Sequence, residues 1–220
     1  MRFVFVHGAG CTGEIFTAQT AAFADSLALT LPGHTTPGEP SSIEAFADFI
    51  IAELATRDIT EAILCGHSMG GAIALEVALR HEQRVRAVVM LDSGAKLRVA
   101  PAIFDNLERD FEAASRELAT LFFADATPDR VAASSAMMAH VGQAQTVRDF
   151  RACDAFDRTT RLGEIALPLL ALTGANDVLT PPKFAATLAD RIPGATARIL
   201  PGAGHLTMVE RPDETNEALS

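Results

Sequence analysis

Ala62-Ile63-Leu64-Cys65-Gly66-His67-Ser68-Met69-Gly70-Gly71-Ala72-Ile73-Ala74-Leu75-Glu76-Val77-Ala78 is the stretch whose reading decides the fold. Its first four residues are uniformly apolar and too few for a helix, so they read as a buried strand. From Gly71 to Ala78 the run rich in Ala and Leu reads as a buried helix. Between them, Gly66-His67-Ser68-Met69-Gly70 matches G-x-S-x-G, a nucleophile elbow in the strand–turn–helix setting that the motif requires. A serine on so tight a turn is strained and projects its hydroxyl outward. Gly66 and Gly70 lack side chains, so neighbouring backbone can approach the turn closely. The N–H of Met69 lies at the helix N-terminus, where it can stabilise an oxyanion. The competing reading, a turn serine that merely caps the helix, accounts less well for glycines on both sides.

Working outward, short apolar runs at 3–6, 26–29, 62–65, 87–91, 169–172 and 197–200 alternate with longer helical segments. That alternation is the signature of a parallel sheet covered by helices on both faces. Four of these runs end in loops that carry reactive or flexible residues: His7-Gly8-Ala9-Gly10, Gly66-His67-Ser68, Asp92-Ser93-Gly94 and Gly174-Ala175-Asn176-Asp177. A fifth loop, Pro201-Gly202-Ala203-Gly204-His205, follows the last strand. Sites in open α/β sheets lie at the carboxyl ends of strands, so this placement is the one function predicts. The alternation is interrupted once, over 96–166, where helical periodicity runs through 104–123, 128–140 and 144–156. The segment reads as a helical cap inserted into a core made of 1–95 and 167–220. Its apolar residues, Phe104, Leu107, Phe111 and Met138 among them, are expected mainly to pack on the core and on one another, with a few lining an acyl pocket.

An acyl-transfer serine needs a base to take its proton and an acid to orient that base. Of six histidines, His205 is the best placed, in a glycine-rich loop after the last strand. His67 adjoins the serine on the turn, where consecutive residues do not face one another, and reads as a packing residue. His7 is expected to support its own loop through hydrogen bonds. His34, in a turn after Leu31-Pro32-Gly33, and His81 and His140, on helices, read as structural or solvated. Two aspartates end strands after the serine. Asp177, followed by the helix-opening Pro181-Pro182, is favoured as the acid, and Asp92 otherwise reads as a turn or helix-capping residue. His7-Gly8-Ala9-Gly10 resembles an H-G-x-G loop whose Ala9 N–H supplies a second oxyanion donor. A phosphate cradle would need more glycines or a lysine at set spacing, and the histidines and carboxylates lack metal-ligand spacing. No cofactor or metal is expected.

Bulk composition narrows the classes further. The chain has 220 residues, 49% hydrophobic and 21% charged, which suits one well-buried core with a small insertion. A net charge of -10 argues against nucleic acid or an anionic membrane as the main partner. No apolar run reaches transmembrane length. The first residues run straight into His7-Gly8, too short a stretch for a signal peptide, so a cytoplasmic protein is expected. Cys11, Cys65 and Cys153 form no C-x-x-C pair and read as free, mostly buried thiols.

Taken together, Leu31-Pro32-Gly33-His34, Gly66-His67-Ser68-Met69-Gly70-Gly71, Gly174-Ala175-Asn176-Asp177 and Gly202-Ala203-Gly204-His205 resemble the α/β-hydrolase superfamily, in its order and over nearly the whole chain. The likeness is closest to small capped carboxylesterases. It implies Ser68 as nucleophile, His205 as base, Asp177 as acid, and Ala9 and Met69 as oxyanion donors. The implied reaction is hydrolysis of a small-molecule carboxylic ester through an acyl-enzyme. Thioesterase, lactonase and C–C hydrolase are alternatives on the same fold, and a non-catalytic ligand receptor is the alternative of another class. Two departures stand out. The chain starts in the strand of the H-G loop, without the two strands that usually precede it, which predicts a reduced parallel sheet of about six strands. The last helix also stops early, at Asn216-Glu217-Ala218-Leu219-Ser220.

Overall fold

A computed structural model describes residues 1–36, 38–80 and 82–220. Its strands are β1 (Arg2–Val6), β2 (Leu27–Leu29), β3 (Ala62–His67), β4 (Val85–Leu91), β5 (Leu169–Gly174) and β6 (Thr196–Leu200). They form one sheet in the order β2-β1-β3-β4-β5-β6, and every pairing is parallel. The six expected strands are all present, and among the described residues no antiparallel hairpin joins the sheet at an edge.

The helices are α1 (Thr17–Ala22), α2 (Ile43–Thr56), α3 (Met69–Leu79), α4 (Pro101–Arg109), α5 (Phe111–Leu121), α6 (Pro128–Val141), α7 (Gln143–Ala155), α8 (Lys183–Arg191), α9 (Thr207–Glu210) and α10 (Pro212–Leu219). Alternation along the strands feeds two cores, as period-2 geometry requires. Val4, Val6, Leu64, Val88 and Met90 pack with residues of α2, α3 and α8. Phe5, Cys65, Val89, Leu91 and Leu172 pack on the other face with Phe16, Leu118 and Met208. Every residue of α3 is buried, Glu76 included, whose carboxylate meets Arg80 and Arg158. Its glycines and alanines let a helix lie between the sheet and α2 without a bulky interface.

Between β4 and β5 the chain forms α4 to α7, a short 3-10 turn at Leu162–Glu164 and one isolated antiparallel bridge, Lys96 to Asp157. The periodic run expected over 104–123 is in fact two helices. They are broken at Asp110, which takes φ -150° and ψ 89° and caps α5 by accepting the Ala113 N–H. A residue whose side chain competes for backbone donors favours such a cap over a helix interior. Exposed His140 lies on α6 as expected, while His81 falls outside the described residues. All three cysteines are buried free thiols.

Register brings the candidate loops together. Val6 lies beside Gly66, His67 beside Leu91, and Leu91 beside Leu172. The loops after β1, β3, β4 and β5 therefore leave the sheet along one edge. Strand order reverses between β1 and β3, the crevice where open α/β sheets bind ligands.

Candidate active site

Ser68 occupies the turn from β3 into α3 with φ 51° and ψ -114°, a backbone conformation that costs a residue with a Cβ about 1–3 kcal/mol. Its side chain makes no capping bond to α3, so the helix-capping reading fails. Backbone contacts hold the turn instead: the Ser68 N–H donates to Leu91 O at 2.9 Å, and Ser93 Oγ–H donates to Ser68 O at 2.7 Å. The glycines of the motif have a steric reason. A Cβ on Gly66 would stand 2.0 Å from Gly70 O, and one on Gly70 would stand 2.1 Å from Val6 O.

His205 and Asp177 meet from separate loops. His205 Nδ1 donates to Asp177 Oδ2 at 2.9 Å, both side chains being almost fully buried. With Nδ1 carrying the proton, Nε2 keeps its lone pair. Asp177 also accepts the amides of Leu179 and Thr180 on Oδ1, and the Thr180 hydroxyl on Oδ2 at 2.7 Å. Burial alone would raise the Asp177 carboxyl. The His205 charge and the bonds from His205 and Thr180 outweigh it and hold the group at about 2. Burial likewise pushes His205 down, but the Asp177 charge and hydrogen bond, with Asp92 behind them, raise it above its ordinary value.

The other candidates separate cleanly. His67 Nε2–H donates to His205 O at 2.8 Å, supporting the histidine loop, and burial lowers the His67 ring to about 3, so it stays neutral. His7 Nδ1–H donates to Gly8 O while Nε2 accepts the Leu31 N–H, each at 2.9 Å. The support expected of His7 for its loop is present. Asp92 lies in the bend after β4 and bonds the first residue of α9, and it also reaches β5. Fully buried at φ 47°, it accepts the Gly174 N–H at 2.9 Å, the Thr207 N–H at 3.0 Å and the Thr207 hydroxyl at 2.7 Å. It thus ties the end of β4 to the end of β5 and to the residues just past His205. Burial, aided by the nearby Asp177 charge, pushes the Asp92 carboxyl up to about 7 against the pull of His205 and Thr207.

Ala9, Ser68, His67 and His205 line one cavity of about 90 Å³, with Leu97, Ile103 and Phe122 from the helical segment among its apolar walls. Among the described residues, the amides of Ala9 and Met69 have no hydrogen-bond acceptor within the protein. No group of three His, Cys, Asp or Glu among those residues converges as a metal site. Three supporting groups escaped the sequence reading. Thr180 lies three residues after Asp177, a spacing from which the contact was readable. His34 and Asp149 form a buried pair, and Glu210 accepts the amides of Gly204, Ala124 and Asp125. Neither arrangement leaves a local pattern, because His34 and Asp149 are 115 residues apart and Glu210 reaches back 86 and 85 residues to Ala124 and Asp125.

A family model described as the alpha/beta hydrolase family matches residues 3–218. The chain belongs to the alpha/beta hydrolase family. Among relatives of this alpha/beta hydrolase is a pimeloyl-[acyl-carrier protein] methyl ester esterase of Aromatoleum aromaticum, 26% identical over 96% of this chain and 93% of the relative. A solved structure described as a thermophilic esterase superposes with TM-score 0.91 and 28% identity, over 99% of this chain and 87% of that one. Est816, described as an N-acyl homoserine lactone degrading enzyme, gives TM-score 0.87 and 29% identity over 100% and 92% of the two chains.

Proposed function

We propose that this alpha/beta hydrolase cleaves carboxylic esters of small molecules in two steps, with Ser68 as nucleophile, His205 as base and Asp177 as the acid that orients it. One observation carries the reading: Ser68, strained and free of capping, opens into the same cavity as a histidine whose Nδ1 is tied to a buried carboxylate. His205 Nε2 takes the Ser68 proton as Oγ attacks the ester carbonyl. The N–H groups of Ala9 and Met69 receive the oxyanion, stabilisation worth about 2.7–4 kcal/mol per donor in such sites. The intermediate collapses, the C–O bond breaks, and His205 returns the proton to the departing alcohol. Water, deprotonated by His205, then attacks the acyl-enzyme and releases the acid and Ser68. Asp177 fixes the tautomer and stabilises the imidazolium throughout.

The segment 96–166 acts as a cap, since its side chains supply apolar walls over Ser68. Relatives described as esterases support the reaction class. Among the described residues no helix is long and apolar enough to cross a membrane, which accords with a cytoplasmic enzyme acting on dissolved esters. A cyclic ester is the second reading, favoured by the likeness to Est816.

The direct test is labelling with a serine-directed fluorophosphonate. Wild type is expected to react at Ser68 and to lose ester hydrolysis in step with labelling. A folded protein that hydrolyses p-nitrophenyl acetate yet leaves Ser68 unlabelled would overturn the assignment.

A further inference from the structure

The Ser68 cavity, at about 90 Å³, is small beside a second, largely apolar cavity of about 650 Å³ that adjoins it. Cys11, Phe122 and Leu206 line both, so the two spaces share a wall. The larger one is a groove between α1 and α6. Ala18 and Ala21 form one side, Ala133 and Met137 the other, and Met208 lies in the floor. Open alanine-lined flanks over a floor of buried apolar side chains leave a trough accessible from solvent. Methionine side chains adapt to chains of differing shape. The arginine at its rim, Arg130, is already committed: it lies 3.7 Å from Asp125 and 3.5 Å from Glu210, and donates to Asp125 O. Glu14 and Asp129 also line it, both at exposed positions, so its buried part offers apolar surface.

We infer that the groove between α1 and α6 binds an extended alkyl chain belonging to the ester substrate, joined to the reacting carbonyl past Cys11, Phe122 and Leu206. The inference rests on the ester-hydrolase reading for the reaction and on the groove alone for the chain. Each methylene buried there adds to binding through the apolar surface it removes from water, and the Ser68 cavity is the smaller of the two spaces. The chain is the acyl limb or the alcohol limb of the ester. Cys11 lies on the loop that carries Ala9, and Leu206 follows His205, so the wall adjoins both the oxyanion and the leaving-group sides.

The experiment compares kcat/KM for p-nitrophenyl acetate, p-nitrophenyl decanoate and decyl acetate in wild type, Ala133→Trp and Ala18→Trp. Indole fills the groove from exposed helix positions that the core does not depend on. The expected result is a fall of roughly tenfold or more in the ratio of one decyl ester to p-nitrophenyl acetate. A fall for the decanoate assigns the acyl limb, and a fall for decyl acetate the alcohol limb. Ratios unchanged within about twofold, or equal losses on all three esters, would overturn the inference.

A binding measurement separates this from the chemistry. The chain contains no Trp or Tyr, so Val209→Trp, at the edge of the groove, introduces a lone fluorophore. In the Ser68→Ala background, decanoate is expected to shift its emission to the blue and butyrate is not. An absent shift refutes the groove even in an active esterase. A shift in a protein without esterase activity keeps the groove and refutes the reaction instead.

Discussion

His34 Nε2 and Asp149 Oδ2 lie 2.8 Å apart with no exposed side-chain surface, joining the turn after β2 to α7. The same carboxylate accepts the Gly10 N–H at 2.9 Å, and its other oxygen accepts the Gln145 amide at 2.7 Å. Asp149 thereby holds the loop carrying Ala9 from the side of the helical segment. Asp149→Ala would leave three donors without an acceptor in a buried place. A loss of about 3–5 kcal/mol is expected, read as a fall in the urea midpoint. The surviving folded protein should also show a lowered kcat, since Gly10 adjoins Ala9. A variant as stable as wild type would mean that the pair is not holding the loop.

Ser68→Ala and His205→Ala are each expected to cost roughly 10³–10⁶ in kcat, and together little more than either alone, because the proposed reaction uses the two as a unit. Steady-state hydrolysis of p-nitrophenyl acetate reads the effect. A loss below about tenfold in either variant would be incompatible with the roles given to them.

The charges around His205 set a pH profile. The proposed reaction uses His205 as a neutral imidazole, so kcat/KM should rise with pH through a midpoint above about 6.5, the ordinary histidine value. Asp177→Asn removes the main raising influence. Its midpoint should move down while kcat drops about 10⁴-fold. A midpoint that stays put would detach Asp177 from the titrating group.

Stability follows the same groups with opposite signs. Asp177, held at about 2, contributes fully above pH ~4, and that contribution is lost as pH falls toward 2. His205, raised, contributes below its unfolded value, and the contribution is lost as pH climbs through its folded one. Asp92, pushed up to about 7, works against the fold as pH rises from ~4 through 7. Asp92→Asn should therefore flatten the decline on the neutral side, measurable by thermal unfolding from pH 5 to 8.

Two glycine substitutions should behave oppositely. Gly70→Ala places a methyl 2.1 Å from Val6 O, backbone that cannot yield without moving β1, and soluble protein is not expected. At Gly163 a Cβ meets nothing within 4 Å and the backbone is not left-handed, so Gly163→Ala should be stabilising by about 0.4–1 kcal/mol. Equal solubility and melting temperature in both variants would contradict the packing described at the elbow.

What the sequence made legible was the periodic and the local. Strands buried on both faces stand out as short apolar runs, and Gly66 to Gly70 carry their own steric logic. The order Ser68, Asp177, His205 could be set out because each ends or follows such a run. The break at Asp110 is not legible in the periodicity, because an apolar stripe continues across it, while the cap that makes the break is one side chain. The role of Asp92 was hidden for a different reason. Its partners Gly174 and Thr207 lie 82 and 115 residues away, and only the sheet order brings them near. Buried polar tethers of that kind have no period.

Glu210 belongs at once to the loop of His205, through the Gly204 amide, and to the turn between α5 and α6, through those of Ala124 and Asp125. The His205 N–H reinforces the join by donating to Phe122 O at 2.8 Å. The four helices are therefore no interchangeable cassette. A chimera that imports them from a relative leaves Ser68, Asp177 and His205 intact in sequence, yet must rebuild a turn with two amides aimed at Glu210. Divergence of substrate preference in this lineage is then expected to proceed by side-chain replacement within the existing helices, because wholesale exchange would unseat the His205 loop.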